Sequence, residues 1–200
     1  MGWSRTRYTF LTWLKIKFPI EDTWKNIKQN LTNLIGIEKL INLKHLICYQ
    51  SQLTKLDLSK NINLEGLSCH NNPQLSELNV SNNINLEYLY CHHNQLTELD
   101  VSNNIKLKDL SCSYNQLTEL NLSKNVKLTD LSCSYNQLTK LDITKNIKLK
   151  YLYYDNNQLK ELDISKNINL HTHTHTYTQN WNTWFIFYIK IFNIYNIWNT

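Results

Sequence analysis

Five cysteines stand on a regular ruler: Cys48, Cys69, Cys91, Cys112 and Cys133 lie 21, 22, 21 and 21 residues apart, and Tyr154 takes the next place, 21 further on. Thiols can ligate a metal, form bridges or pack. A tetrahedral site uses close pairs such as C-x-x-C, and this chain has none. Five is an odd number for bridging, and a cysteine on the inward side of a short strand behaves as a small hydrophobe. The spacing therefore predicts a column of buried free thiols, and Tyr154 shows that packing there is not tied to sulfur. A second constellation, His171, His173 and His175, alternates with threonine. Extended, it would turn three imidazoles to one side, an arrangement able to chelate Zn²⁺, Ni²⁺ or Cu²⁺. Its codons fit a translated CA-rich tract and it has no acidic partner, so it is read as a simple repeat. No metal or cofactor is expected. Serines and histidines elsewhere occupy repeat positions, and no nucleophilic triad stands out, so no enzyme is expected.

The elements that position these residues follow from aligning the chain on its cysteines. Six units begin at Leu43, Leu64, Leu86, Leu107, Leu128 and Leu149, each reading L-x-x-L-x-C-x-x-N-x-L-T-x-L-D-x-S-x-N-x-x, as in Leu86, Leu89, Cys91, Asn94, Leu96, Thr97, Leu99, Asp100, Ser102 and Asn104. The single 22-residue unit carries Pro73 as its extra residue, in the turn after Asn72. Within L-x-x-L-x-C the period of two points Leu89 and Cys91 inward while Tyr88 and Tyr90 point out. No unit can bury its own leucines, so parallel strands must stack about 4.8 Å apart. A solenoid follows. A 21-residue circuit leaves no room for a long helix, so the return path is expected to be extended or single-turn.

This pattern resembles the leucine-rich repeat family, and within it the bacterial 21-residue subclass with a cysteine in the strand, found in internalin-like and other secreted surface proteins. The resemblance covers about residues 34–170. It implies a mainly β repeat solenoid of the α/β type, with short parallel strands on a concave face, and a protein exported or held at the cell surface. In such a fold the ninth-place Asn72, Asn94, Asn115, Asn136 and Asn157, with Ser51 in the first unit, tie together backbone groups of successive turns. Asp57, Asn79, Asp100, Asn121, Asp142 and Asp163, each followed two places on by Ser or Thr, suggest a second set of polar turns. With three glycines in the chain, asparagine is expected at any left-handed backbone position.

Composition narrows the function. Gly2, Gly36 and Gly66 cannot build a phosphate-cradling loop. Alanine is absent, arginine occurs only at Arg5 and Arg7, and Asn, Lys, Ile and Tyr abound, as in translation of an AT-rich frame. The formal charge is +5, but between Leu43 and Leu170 thirteen lysines face thirteen carboxylates, and the excess lies mostly in residues 1–42. Interleaved signs with scarcely any arginine make a poor phosphate track, so no nucleic-acid partner is expected.

The chain divides into residues 1–42, 43–170 and 171–200. In the first, Asp22 or Thr23 followed by Trp24, Ile27, Leu31 and Leu34 at helical spacing predicts an N-terminal cap helix, while Leu34–Leu40 resembles the coil that precedes the cysteine repeats. Phe10–Ile16 is too brief and interrupted for a secretory core, so localisation stays open despite the resemblance. Met1–Thr6 matches the myristoylation pattern only loosely. Leu170 opens a seventh unit, but His173 stands where leucine should return, and an interruption of the ancestral frame is expected near there. The aromatic stretch Trp184–Trp198 falls short of the ~20 residues that span a bilayer, though it suits a cover for the solenoid end or an interfacial membrane contact.

Function is expected on the outward strand positions, which can vary without harming the core. Tyr88, Tyr90, Tyr114, Tyr135, Tyr151 and Tyr153 are expected to form an aromatic patch across the sheet, with His92 and His93 beside it and Asp109 and Asp130 between. Aromatics give large contact area at low entropy cost, which suits a protein ligand, and flat rings also stack on sugars, which makes carbohydrate the second class. The reading is a non-enzymatic protein-binding module. Its alternatives are membrane association through the tail and a truncated repeat product without a selected function.

Overall fold

The structure, a computed structural model, describes residues 24–26 and 32–170. The expectations for the myristoylation pattern, the histidine tract, the tail and most of the N-terminal segment lie outside them. Nine three-residue strands follow one another: β1 (Trp24–Asn26), β2 (His45–Ile47), β3 (Lys55–Asp57), β4 (Gly66–Ser68), β5 (Glu77–Asn79), β6 (Tyr88–Tyr90), β7 (Asp109–Ser111), β8 (Asp130–Ser132) and β9 (Tyr151–Tyr153). Seven make one parallel sheet in the order β1-β2-β4-β6-β7-β8-β9, and β3 pairs with β5 further round the coil. Register follows the cysteine ruler: Leu67 opposes Leu89, Leu89 opposes Leu110, and Leu110 opposes Leu131.

The core is a stack of equivalent layers. In one coil Leu86, Leu89, Cys91, Leu96 and Val101 are all inaccessible to solvent, and the same places are buried in the coils on either side. Each such leucine contributes roughly 1.5–3 kcal/mol by leaving water. The five cysteines are free and buried, and Tyr154 continues their column at 8% exposure. Burial raises their thiol pKa, to about 12 at Cys69 and Cys112, so the column is apolar packing. The 22-residue coil keeps strand register, Tyr88 opposite Gly66, because Pro73 is taken up in an exposed turn.

Two asparagine ladders hold the coils together. Asn115 donates from Nδ2 to the carbonyls of Cys91 (3.0 Å) and Cys112 (2.9 Å) and accepts the Leu96 amide at 3.0 Å. Asn94, Asn136 and Asn157 repeat the double donation in their coils. The second ladder, at the nineteenth place, was visible only as a recurrent letter. Asn104 donates to the carbonyls of Val80 (3.0 Å) and Asn83 (2.8 Å), and Asn125 and Asn146 do the same one and two coils on. The expected polar turns are present as well: the amides of Ser59, Ser102 and Thr144 donate to Asp57, Asp100 and Asp142 at 2.8–2.9 Å. The amide bonds lower the pKa values of Asp57 and Asp100, and the Thr144 hydroxyl, followed by its amide, lowers that of Asp142.

Two expectations are corrected. Where a cap helix was expected, Trp24–Asn26 is a strand that pairs in parallel with β2, Trp24 opposite His45. Trp24 stands 21 residues before His45, so the segment already lies on the repeat ruler, and pairing with an open strand edge prevails over helical spacing. Leu34 is buried in a loop whose neighbours are exposed, ahead of a single 3-10 turn, Ile37–Lys39, and no other helical turn occurs among the described residues. The left-handed backbone positions also differ. They fall at the eighth place of each unit, at Gln50, Asn71, His93, Tyr114, Tyr135 and Asn156 with φ of 53–55°, and only two of these are asparagine. The neighbouring coils dictate the geometry: the amide of Tyr114 donates to Ser134 at 2.9 Å and that of Asn115 to Tyr135 at 3.2 Å. That bonding outweighs the ordinary cost of φ > 0.

Candidate functional site

The outward residues of the large sheet sit in three columns, at the third, fifth and seventh places of each coil. The third reads His45, Gly66, Tyr88, Asp109, Asp130 and Tyr151 in register. A Cβ at Gly66 would lie 2.6 Å from Nδ1 of His45, so any larger residue there would displace that ring. The fifth reads Ile47, Ser68, Tyr90, Ser111, Ser132 and Tyr153. Four consecutive strands thus form a symmetrical pattern: a Tyr-Leu-Tyr strand (β6), two Asp-Leu-Ser strands (β7, β8) and a second Tyr-Leu-Tyr strand (β9). The six tyrosines do not merge into one patch. Tyr88 and Tyr90 make one wall, Tyr151 and Tyr153 another, and short residues floor the space between.

Tyr114 and Tyr135 belong to a different feature. Their left-handed backbone turns the rings along the sheet margin, where they stack with centroids 4.2 Å apart and planes 9° from parallel. His93 stacks on Tyr114 at 4.1 Å, meets His92 edge-on at 5.5 Å, and His92 stacks on His70 at 4.3 Å, which stacks on Tyr49 at 4.7 Å. The result is a six-ring run along the solenoid. Tyr49 and His70 were not among the expected site residues; the signal was the aromatic residue directly after the cysteine in three successive units.

Polar groups fill the space between walls and stack. Tyr90 donates its hydroxyl to Asp109 at 2.7 Å, Ser113 and Ser132 hydroxyls meet at 2.7 Å, and Ser134 donates to Asp155. His70 and His92 hold their Nδ1 atoms against Ser68 (2.9 Å) and Ser111 (3.1 Å). Burial, then the neighbouring histidines, lowers the His92 pKa to about 4, and burial with His93 lowers that of His70. Both rings are neutral at pH 7. Burial and then the charge of Asp130 raise the Asp109 pKa, against the hydrogen bond from Tyr90, which lowers it. Burial and the bond to Asp109 raise the Tyr90 pKa. A hollow of about 330 Å³ opens here, floored by Ser111, Ser113, Ser132 and Ser134 and walled by His92, His93, Tyr114, Tyr135, Tyr153 and Asp155.

Among the described residues no three His, Cys, Asp or Glu side chains converge as a metal site, and no helix is long and apolar enough to cross a membrane. The surface offers rings, hydroxyls and carboxylates.

No protein-family model matches the chain, and no curated protein matches it. Solved structures do. The functional domain of InlJ from Listeria monocytogenes, described as including a cysteine ladder, shares 34% identity with a TM-score of 0.66 over 74% of this chain and 38% of that one. An internalin (InlF) from the same organism shares the fold at 24% identity and a TM-score of 0.67, over 72% of this chain and 44% of that one. A leucine-rich repeat protein of Leptospira interrogans shares it at 22% identity and a TM-score of 0.61, over 74% and 47%. The chain therefore spans less than half the length of each of these three neighbours. A 21-residue ruler, a buried thiol column and stacked parallel strands make this a leucine-rich repeat solenoid with the fold of these internalin-type neighbours, and its thiol column is similar to the cysteine ladder described for InlJ.

Proposed function

We propose that this chain is a non-enzymatic protein-binding module that takes its partner on the large sheet, the concave side in this family. One observation carries the reading: every exposed tyrosine among the described residues lies on this sheet or its margin. Tyr88, Tyr114, Tyr135, Tyr151 and Tyr153 are 39–44% exposed there, although strand pairing and the leucine core need none of them. Amphipathic rings that lie flat on a rigid frame are the side chains that dominate protein recognition. The frame loses little entropy on binding, because the ladders already fix it.

The experiment is surface plasmon resonance with the full chain immobilised against a panel of purified extracellular proteins. For any partner found, Tyr90→Ala with Tyr114→Ala is expected to weaken binding at least tenfold while the variant still melts cooperatively, its melting temperature lowered by only about 2–6 °C through loss of the ring stack and the bond to Asp109. Undiminished binding after replacement of all six tyrosines, Tyr88, Tyr90, Tyr114, Tyr135, Tyr151 and Tyr153, would overturn the reading.

A further inference from the structure

Asp109 and Asp130 face each other in register on adjacent parallel strands. Like charges placed directly opposite one another destabilise a sheet. Such pairs normally gain a cation, yet among the described residues neither carboxylate has one: the four ion pairs are Lys44–Glu65, His45–Glu65, Lys55–Glu77 and Lys108–Glu87. Lys108, the lysine next to Asp109 in the chain, is held by Glu87 at 2.7 Å. In the six units that begin at Leu43 to Leu149 the third, fifth and seventh places hold no lysine or arginine, and among the described residues Asp155, on the wall of the serine-floored hollow, is also without an ion pair. His92, whose Nδ1 lies 3.1 Å from the hydroxyl of Ser111 on the strand of Asp109, is neutral at pH 7 and supplies no positive charge.

Resting on the protein-binding reading above, we propose that the space between the tyrosine walls of β6 and β9 receives a basic side chain, arginine before lysine, from an extended segment of the partner. The guanidinium supplies the charge missing opposite Asp109 and Asp130, and the tyrosines of the flanking strands supply aromatic surface on either side of it. Opposite walls three strand steps apart leave about 14 Å between backbones, ample room for a long side chain entering between the rings. The hollow beside Asp155 accepts the next basic or hydroxyl-bearing residue of the same segment. Such electrostatic complementarity selects the partner and speeds encounter more than it adds affinity.

The test is titration of the full chain with acetyl-hexaarginine amide and with its neutral isostere acetyl-hexacitrulline amide, followed by calorimetry. Hexaarginine is expected to bind at least tenfold tighter than hexacitrulline. Asp109→Asn with Asp130→Asn is expected to abolish that preference, while Glu98→Gln with Glu119→Gln, the same charge change elsewhere on the coil, leaves it intact. Asparagine can still accept the bonds from Tyr90 and Thr129, and repulsion is relieved, so the double variant should melt no lower than the parent. Equal loss in the two double variants, equal binding of both peptides, or a lower melting temperature in Asp109→Asn/Asp130→Asn each overturns the proposal. A purified partner whose binding depends on the tyrosines but survives the Asp109/Asp130 change overturns this inference alone; one indifferent to the tyrosines overturns the reading beneath it.

Discussion

Tyr114 and Tyr135 lie ring over ring at 4.2 Å, and both reach that geometry with a left-handed backbone, φ of 55° and 53°. A bulky residue ordinarily avoids this region, so stack and strain occupy the same position and act in opposite directions.

Substitution at Tyr114 separates them. Tyr114→Ala loses the stack, worth about 0.5–1.5 kcal/mol, and keeps the strain. Tyr114→Gly loses the stack and the strain together. Urea denaturation should therefore find the glycine variant more stable than the alanine variant by about 0.5–1 kcal/mol, the reverse of the order at an ordinary strand position.

Acid should weaken the fold in two stages. His92 and His70 have folded-state pKa values below 6.5, so the unfolded chain takes protons first; their contribution is full above pH 6.5 and is lost as pH falls toward about 4. Both rings are partly exposed, and after discounting for solvent screening the first stage should amount to about 1 kcal/mol, or roughly 2–4 °C in melting temperature. The carboxylates of Asp57, Asp100 and Asp142 have lowered pKa values, so their contribution, present above 3.8, is lost only below that. Melts of the parent and of His92→Phe from pH 7.5 to 3.5 check this: the phenylalanine variant should lose much of the first stage and retain the second.

The two asparagine ladders should differ in cost. Asn115 makes two strong donations and accepts one amide, whereas Asn104 makes two donations and its Oδ1 has no protein partner. Either change to alanine strands buried carbonyls, at about 1–3 kcal/mol for each orphaned group. Denaturation should rank Asn115→Ala as the more damaging, with the difference read from paired melts.

Thiol chemistry reports on the core directly. All five cysteines are buried and their pKa values lie far above neutrality, so an aromatic disulfide reagent at pH 8 should label none of them in the native chain and all five in denaturant. Native labelling on the minute timescale would mean that the coils open locally.

The strands and their facing were legible because leucine and cysteine alternate on a fixed ruler, and Leu89 and Cys91 can be buried together in only one register. The ninth-place asparagines and the Asp-x-Ser turns were legible because short polar side chains have few other reasons to recur. The left-handed column was not, since Tyr114 and His93 carry no local sign of φ > 0; that angle comes from the adjacent coil. Trp24 showed two periodicities at once, and only pairing with His45 decides between them. The tyrosines were identified as outward, yet their separation into walls and a stack depends on which column each occupies. Asp155 and the serine floor were legible as outward positions but were not singled out as site residues, because a hydroxyl on a strand is unremarkable until four converge.

The ninth-place asparagine ladder has a direction. Each asparagine grips a carbonyl of its own coil and one of the coil before it, as Asn136 does with Cys133 and Cys112, so the coils of Cys48 to Cys133 are each fastened by their successor. Copying a unit adds a clasp for the unit before it and leaves the new end bearing the same groups as the old. An array built this way can lengthen or shorten by whole coils without redesign, and its recognition surface changes by the insertion of whole strands: the Tyr-Leu-Tyr walls could be moved apart or together one Asp-Leu-Ser strand at a time.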